Sequence, residues 1–133
     1  MQIGDGGIVL GSPFGEPWRL AFLPQHGEYR NEARFVTDDD AFQHLQVSIF
    51  EGAPGTIVAF TDGLEDLLLD PFDYAVHSPL FERLTRQLGR PAHWGFDKRL
   101  SVELSDLMRS GAVRSRTSDD ITLLALRFGE ASS

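Results

Sequence analysis

Thr56-Ile57-Val58-Ala59-Phe60-Thr61-Asp62-Gly63-Leu64 is the stretch on which the architecture turns. Its first six residues are rich in β-branched and aromatic side chains. They are preceded by Ala53-Pro54-Gly55 and followed by Asp62-Gly63, so the spacing predicts a strand over 56–61 that ends at a turn. Alternation along it is weak. Thr56, Val58 and Phe60 share one face and Ile57, Ala59 and Thr61 the other, so both faces read as covered, as in a sheet packed on two sides. The closing run behaves the same way, with Thr122, Leu124, Leu126 and Phe128 on one face and Ile121, Leu123, Ala125 and Arg127 on the other.

Working outward, short strands are predicted at 8–10 and 18–23, divided by Gly11, Pro13, Gly15 and Pro17. A further short strand is predicted at 34–37, and 45–50 is expected to pair with 56–61 around Ala53-Pro54-Gly55. Between the two buried strands the period becomes helical. Ser78 caps a helix with Pro79 at its first position, a stripe of Leu80, Phe81, Leu84 and Leu88, and Gly89 as its stop. A second helix runs from Asp97 through Leu100, Leu104, Leu107 and Met108 to Gly111. Strands, a helix pair and a return strand predict an α+β layered fold with mostly antiparallel strands, because a parallel sheet would need regular β-α alternation. There is no repeat and no internal linker, so residues 1–128 read as one unit with a frayed tail at 129–133.

Composition narrows the function classes. The chain has 133 residues and a formal charge of -8, and 41% of it is hydrophobic, including ten Phe, two Trp and two Tyr. That is one folded domain at most, too apolar for a disordered chain. With no cysteine, thiolate metal sites, disulfides and thiol nucleophiles are excluded. The longest apolar run, at 121–126, is far short of the roughly 20 residues of a membrane span, and the polar, glycine-rich stretch at 2–7 does not read as a signal peptide. Arg109, Arg114 and Arg116 make too small a basic patch to offset the acidic balance against a phosphate backbone. A cytoplasmic protein that binds neither membrane nor nucleic acid is expected.

Three acidic sites stand where a strand meets a turn: Gly4-Asp5-Gly6-Gly7, Thr61-Asp62-Gly63-Leu64 and Ser118-Asp119-Asp120-Ile121-Thr122. Any one alone is more often a turn than a ligand, since Asp-Gly is a favoured turn dipeptide. Gathered in one place, three carboxylates would repel one another unless a cation compensated them, and sparse oxygen ligands from remote segments suit Mg²⁺ or Mn²⁺. An EF-hand loop, a Gly-x-Ser-x-Gly elbow, a Walker loop and a full dinucleotide fingerprint are all missing. His26, His44, His77 and His93 form no His-x-x-x-His pair and read as surface or hydrogen-bonded side chains. Asp38-Asp39-Asp40 reads as a solvated helix start or loop, Trp18 and Trp94 as packing on the core edge, and Glu65 and Asp66 as exposed turn residues.

The three acidic motifs, in this order and approximate spacing, resemble the later motifs of the metal-dependent serine/threonine protein phosphatases of the type 2C family. Tyr29-Arg30-Asn31-Glu32-Ala33-x-Phe35 also resembles a stretch of a bacterial branch, so the likeness spans residues 2–128. The resemblance implies a two-sheet antiparallel β-sandwich flanked by helices (α-β-β-α) with Mg²⁺ or Mn²⁺ at one end. It makes Asp62 and Asp119 ligands of the catalytic metals and Asp5 a ligand of a more weakly held third metal. Asp119 is preferred over Asp120, which stands where many relatives have asparagine. The implied reaction is attack of a metal-activated water on phosphoserine or phosphothreonine of a phosphoprotein substrate, with no side-chain nucleophile. The family's domain is longer and carries, in its N-terminal half, an Asp-Gly motif that bridges both metals and a phosphate-binding arginine. This chain is therefore expected to be a C-terminal portion of the domain, truncated at the N-terminus, with an uncovered edge prone to self-association. The alternative, from a different class, is a non-catalytic phosphatase-like module that binds a partner protein through its acidic surface.

Overall fold

In the computed structural model, which describes residues 1–12, 17–25, 35–88 and 95–128, the TIVAF run forms an interior strand. Four strands make one antiparallel sheet: β1 (Gly7–Gly11), β2 (Arg19–Leu20), β3 (Thr56–Phe60) and β4 (Leu123–Arg127), in the order β2-β1-β3-β4. Val9 faces Val58 and Val58 faces Ala125 across the sheet, while Gly7, Phe60 and Leu123 form the next row. Directly opposed residues share a face, so these rows build one side of the sheet. Ile8, Leu10, Ile57, Ala59, Leu124 and Leu126 build the other.

The first side is the core. Val9, Val58 and Phe60 pack with Leu64, Leu68, Leu69, Phe81 and Val113, all buried. These come from a 3₁₀ turn (Asp62–Leu64), the helices α2 (Glu65–Leu68), α3 (Ser78–Leu88) and α5 (Gly111–Arg114), and Leu69 just past α2. Gly7 matters sterically here, because a Cβ on it would come within 2.3 Å of the tip of the Phe60 ring. Trp18 packs on Phe81 with ring centroids 5.1 Å apart and the planes tilted by 36°, at the core edge, as its sequence position suggests. α4 (Lys98–Arg109) starts at Asp97, whose Oδ1 accepts the Leu100 N–H at 3.0 Å, a cap of the type the sequence predicts.

Several local expectations are corrected. No hairpin forms between 45–50 and 56–61, because β1 and β4 occupy both edges of β3 and leave it no free ladder groups. Gln46 instead makes an isolated bridge to Gln2, and Phe50 lies beside Phe22 and under the Arg19 guanidinium. Within 34–37, the described residues 35–37 form a turn rather than a strand, since the Asp38 carboxylate accepts the Phe35 N–H at 2.9 Å. That turn leads to α1 (Ala41–His44), where His44 Nε2 lies 3.0 Å from Asp40 Oδ2, so the aspartate run does open a helix. The strand expected at 18–23 shrinks to two residues. Gly111 starts α5 rather than ending α4, whose last turn closes at Ser110.

Among the described residues, the second side of the sheet is only partly covered. Phe22 and Phe50 lie over its β1 half, leaving a cavity of about 340 Å³ against Ile8, Leu10 and Ile57. On its β4 half Leu124 and Leu126 are 54% and 45% exposed. The described residues contain one sheet, so the two-sided packing expected from the sequence is present on one side. Gly15, His26, the 29–34 stretch, Gly89, His93, Trp94 and the 129–133 tail lie outside the described residues. No helix among the described residues is long and apolar enough to cross a membrane.

Phe81 is 1% exposed and joins the helices to the sheet, so its truncation tests the core. Phe81→Ala is expected to destabilise the fold by about 3–5 kcal/mol, read from urea unfolding. A loss below about 1 kcal/mol would mean the helices are not docked as described.

Candidate metal centre

A strand that is interior to a sheet carries its neighbours' ends with it, and this is what positions the three acidic motifs. β3 delivers Asp62 two residues past its last paired position, Phe60. β4 runs antiparallel, so the segment entering it, 119–122, meets the segment leaving β3. β1 is antiparallel to β3 as well, so its entry segment, Asp5-Gly6, lies at that same end.

The contact between the second and third motifs is close. A Cβ on Gly63 would fall 2.5 Å from the Asp120 carbonyl oxygen and 3.3 Å from Asp119 Cβ. Only a residue without a side chain fits there, because the nearest obstruction is backbone and cannot swing away. Thr61 fastens the two loops. Its N–H donates to the Thr122 carbonyl at 3.1 Å, its hydroxyl accepts the Thr122 N–H at 2.9 Å and donates to the Asp120 carbonyl at 3.3 Å. Valine at this position would keep the strand but lose both hydroxyl bonds.

Each carboxylate is organised by its own turn. Asp62 Oδ1 accepts the Gly63 N–H and Asp119 Oδ1 accepts the Asp120 N–H, both at 2.8 Å, and the Asp119 N–H donates to Thr117 Oγ1 at 3.2 Å. Both side chains are exposed, and among the described residues no basic group stands within ion-pair distance of either. Arg114, at the end of α5, donates from Nη1 to the Asp119 carbonyl at 3.1 Å, not to a carboxylate.

The first motif is near but less engaged. A Cβ on Gly6 would lie 2.8 Å from the Phe60 carbonyl oxygen and 4.0 Å from Thr61 Cα, which sets Gly6, and Asp5 before it, at the same sheet end. Gly4 and Gln25 hold that segment through a backbone bond and a Gly4 N–H to Gln25 Oε1 bond, both 3.2 Å, and Gln2 Nε2 donates to the Gly6 carbonyl. The three aspartates thus share one end of the sheet, with Asp62 and Asp119 in adjoining loops. Among the described residues, however, no three His, Asp or Glu side chains converge as a metal-holding group. Oxygen donors in two touching loops, unpaired by described cations, fit a hard divalent ion in kind but supply only part of its coordination shell.

Sequence reading missed Thr61 as a clasp and Arg114 as an anchor. A threonine before Asp-Gly at a strand end was a visible signal for the first. Nothing in the sequence marked the second, since its bond depends on where α5 docks.

Comparison with known proteins points the same way. Residues 1–108 match the family described as Protein phosphatase 2C. The chain is 36% identical over 130 residues to Serine/threonine-protein phosphatase 3 of Escherichia coli (strain K12), an alignment covering 98% of this chain and 50% of that protein. It therefore spans about half the length of the curated relative it matches. No solved structure matches the chain.

Gly63→Ala is expected to separate the two loops, because the added methyl collides with the Asp120 carbonyl. The cost should be about 1–3 kcal/mol in urea unfolding, with NMR shift changes concentrated at residues 119–122. Unchanged shifts there would contradict the contact.

Proposed function

This chain belongs to the protein phosphatase 2C family, and on that premise we propose that it supplies one side of a metal-dependent centre that hydrolyses phosphoserine or phosphothreonine in protein substrates. The observation that carries the reading is the contact of Gly63 with Asp119 and Asp120, which unites two motifs 57 positions apart at their aspartates. In this reading Asp62 and Asp119 hold Mg²⁺ or Mn²⁺, and Asp5 contributes to a third, weaker position. When bound, such ions supply Lewis acidity to a water nucleophile and to the phosphoryl oxygens.

What this chain's own residues do follows from their placement. Asp62 and Asp119 contribute negative charge and oxygen donors, and their repulsion in adjoining loops favours taking up a cation. Thr61 keeps the two loops in register, so the donor separation is set by the sheet rather than by loop fluctuation. The reaction adds water across the phosphoester and releases the serine or threonine hydroxyl and inorganic phosphate. No side chain needs to form a covalent bond to phosphorus.

The missing donors are assigned to the other half of the domain, which the twofold greater length of the relative supports. The same half is proposed to carry a second sheet that covers Leu124, Leu126 and the cavity beside Ile8, giving the sandwich. Without it, this apolar side is proposed to drive self-association of the isolated chain. The substrate class comes from the relative's name and from the oxygen-donor chemistry of the site.

One observation favours a second reading, a non-catalytic phosphatase-like module acting through its acidic surface: the described residues do not complete a metal-holding group. The two readings part on one assay. In the full-length product, Mn²⁺-dependent hydrolysis of an aryl phosphate is expected to fall by roughly 100-fold or more in Asp62→Asn and in Asp119→Asn, the scale of losing preorganised charge stabilisation. Equal activity in all three forms would remove the assigned roles, and absence of activity with absence of Mn²⁺ binding would favour the module. For the isolated chain, sedimentation is expected to show self-association that Leu124→Glu abolishes; a monomer at all concentrations would refute the uncovered-face proposal.

A further inference from the structure

We infer that Arg114 is a positioning residue for Asp119, an inference that rests on the metal-site reading above and adds a role to it. α5 is docked on the core through Val113, which is 9% exposed, and is closed by the Arg114 N–H to Ser110 carbonyl and Ser115 N–H to Gly111 carbonyl bonds at 2.9 and 3.0 Å. The next residue along from that buried anchor reaches over the 117–120 turn and donates to the Asp119 carbonyl. Residues 118–120 are all exposed, and without this bond their internal support is limited to the Thr117 hydroxyl and the Asp119 carboxylate itself.

The choice of acceptor is what makes the arrangement useful. A guanidinium paired with a carboxylate would occupy the oxygens a cation needs. Here the guanidinium bonds the peptide carbonyl of the same residue, and among the described residues no carboxylate lies within ion-pair distance of Arg114. The backbone is fixed while the carboxylate stays available. Thr61 holds the far side of the same turn through the Asp120 carbonyl, so Asp119 is clasped from the sheet and from the helix layer at once.

Two effects of Arg114 on a bound divalent ion have opposite signs, and this makes the inference testable. As a nearby positive charge it repels the ion, so charge alone predicts tighter binding when it is removed. As an anchor it lowers the cost of ordering Asp119, so positioning predicts weaker binding when it is removed.

The experiment is Mn²⁺ titration of the full-length product followed by the EPR signal of free Mn²⁺, with thermal midpoints and NMR order parameters of the metal-free proteins. Arg114→Met is expected to weaken Mn²⁺ binding roughly five- to tenfold, the size of one exposed hydrogen bond. Arg114→Lys should recover part of the loss, and Arg116→Met, which removes an exposed charge two residues on, should not weaken binding. Order parameters at Asp119 and Asp120 should fall in Arg114→Met and not in Arg116→Met. Equal or tighter Mn²⁺ binding by Arg114→Met, while the wild type binds, would overturn this inference and leave the metal-site reading standing. If the wild type binds no Mn²⁺, the metal-site reading fails, and the order parameters decide whether Arg114 still anchors the turn. Unchanged order parameters at Asp119 and Asp120 would overturn the anchoring in either case.

Discussion

Pairing of β3 on both edges is the constraint from which the rest follows. Because β1 and β4 each run antiparallel to it, the exit of the central strand and the entries of its two neighbours fall at one end of the sheet. Register does the remaining work. A slip of one residue between β3 and β4 would turn Leu123 and Ala125 off the core side and carry Asp119 away from Gly63. The burial of Val58 and Phe60 against Leu64, Leu68 and Phe81 therefore stabilises the fold and, through register, fixes the spacing of the acidic loops.

The two sides of the sheet differ in a way that bears on the domain as a whole. One is sealed by helices and by aromatic rings lying over glycine positions. The other is as apolar in composition but among the described residues is roofed over β1 by Phe22 and Phe50, while Leu124 and Leu126 stay about half exposed. An apolar sheet side with one half roofed and one half open is a candidate contact surface.

At the acidic end, polar bonds are spent on backbone rather than on carboxylates. Thr61 and Arg114 both grip peptide carbonyls of the 119–120 turn, and Asp62 and Asp119 use one oxygen each on the neighbouring N–H. This ties the loops together while leaving both carboxylates without an ion-pair partner among the described residues.

Much of this was legible residue by residue. The 56–60 and 123–127 strands, the stripe of Leu80, Phe81 and Leu84, the Asp97 cap and the three acidic turns all announce themselves within windows of a few residues, because propensity, period and capping are local. The strands wrongly expected at 34–37 and 45–50 show the limit of that logic: 45–50 has suitable side chains but no edge left to pair with, and Phe35 finds a nearer partner in Asp38. Likewise, nothing local tells Asp62 that Asp119 will stand beside it, or Arg114 that a carbonyl five residues on will come within reach. Which segments form strands and helices was thus written in the chain itself. Which of their ends meet was decided by competition for sheet edges and by the docking of α5, interactions that exist only once residues some 60 positions apart have packed.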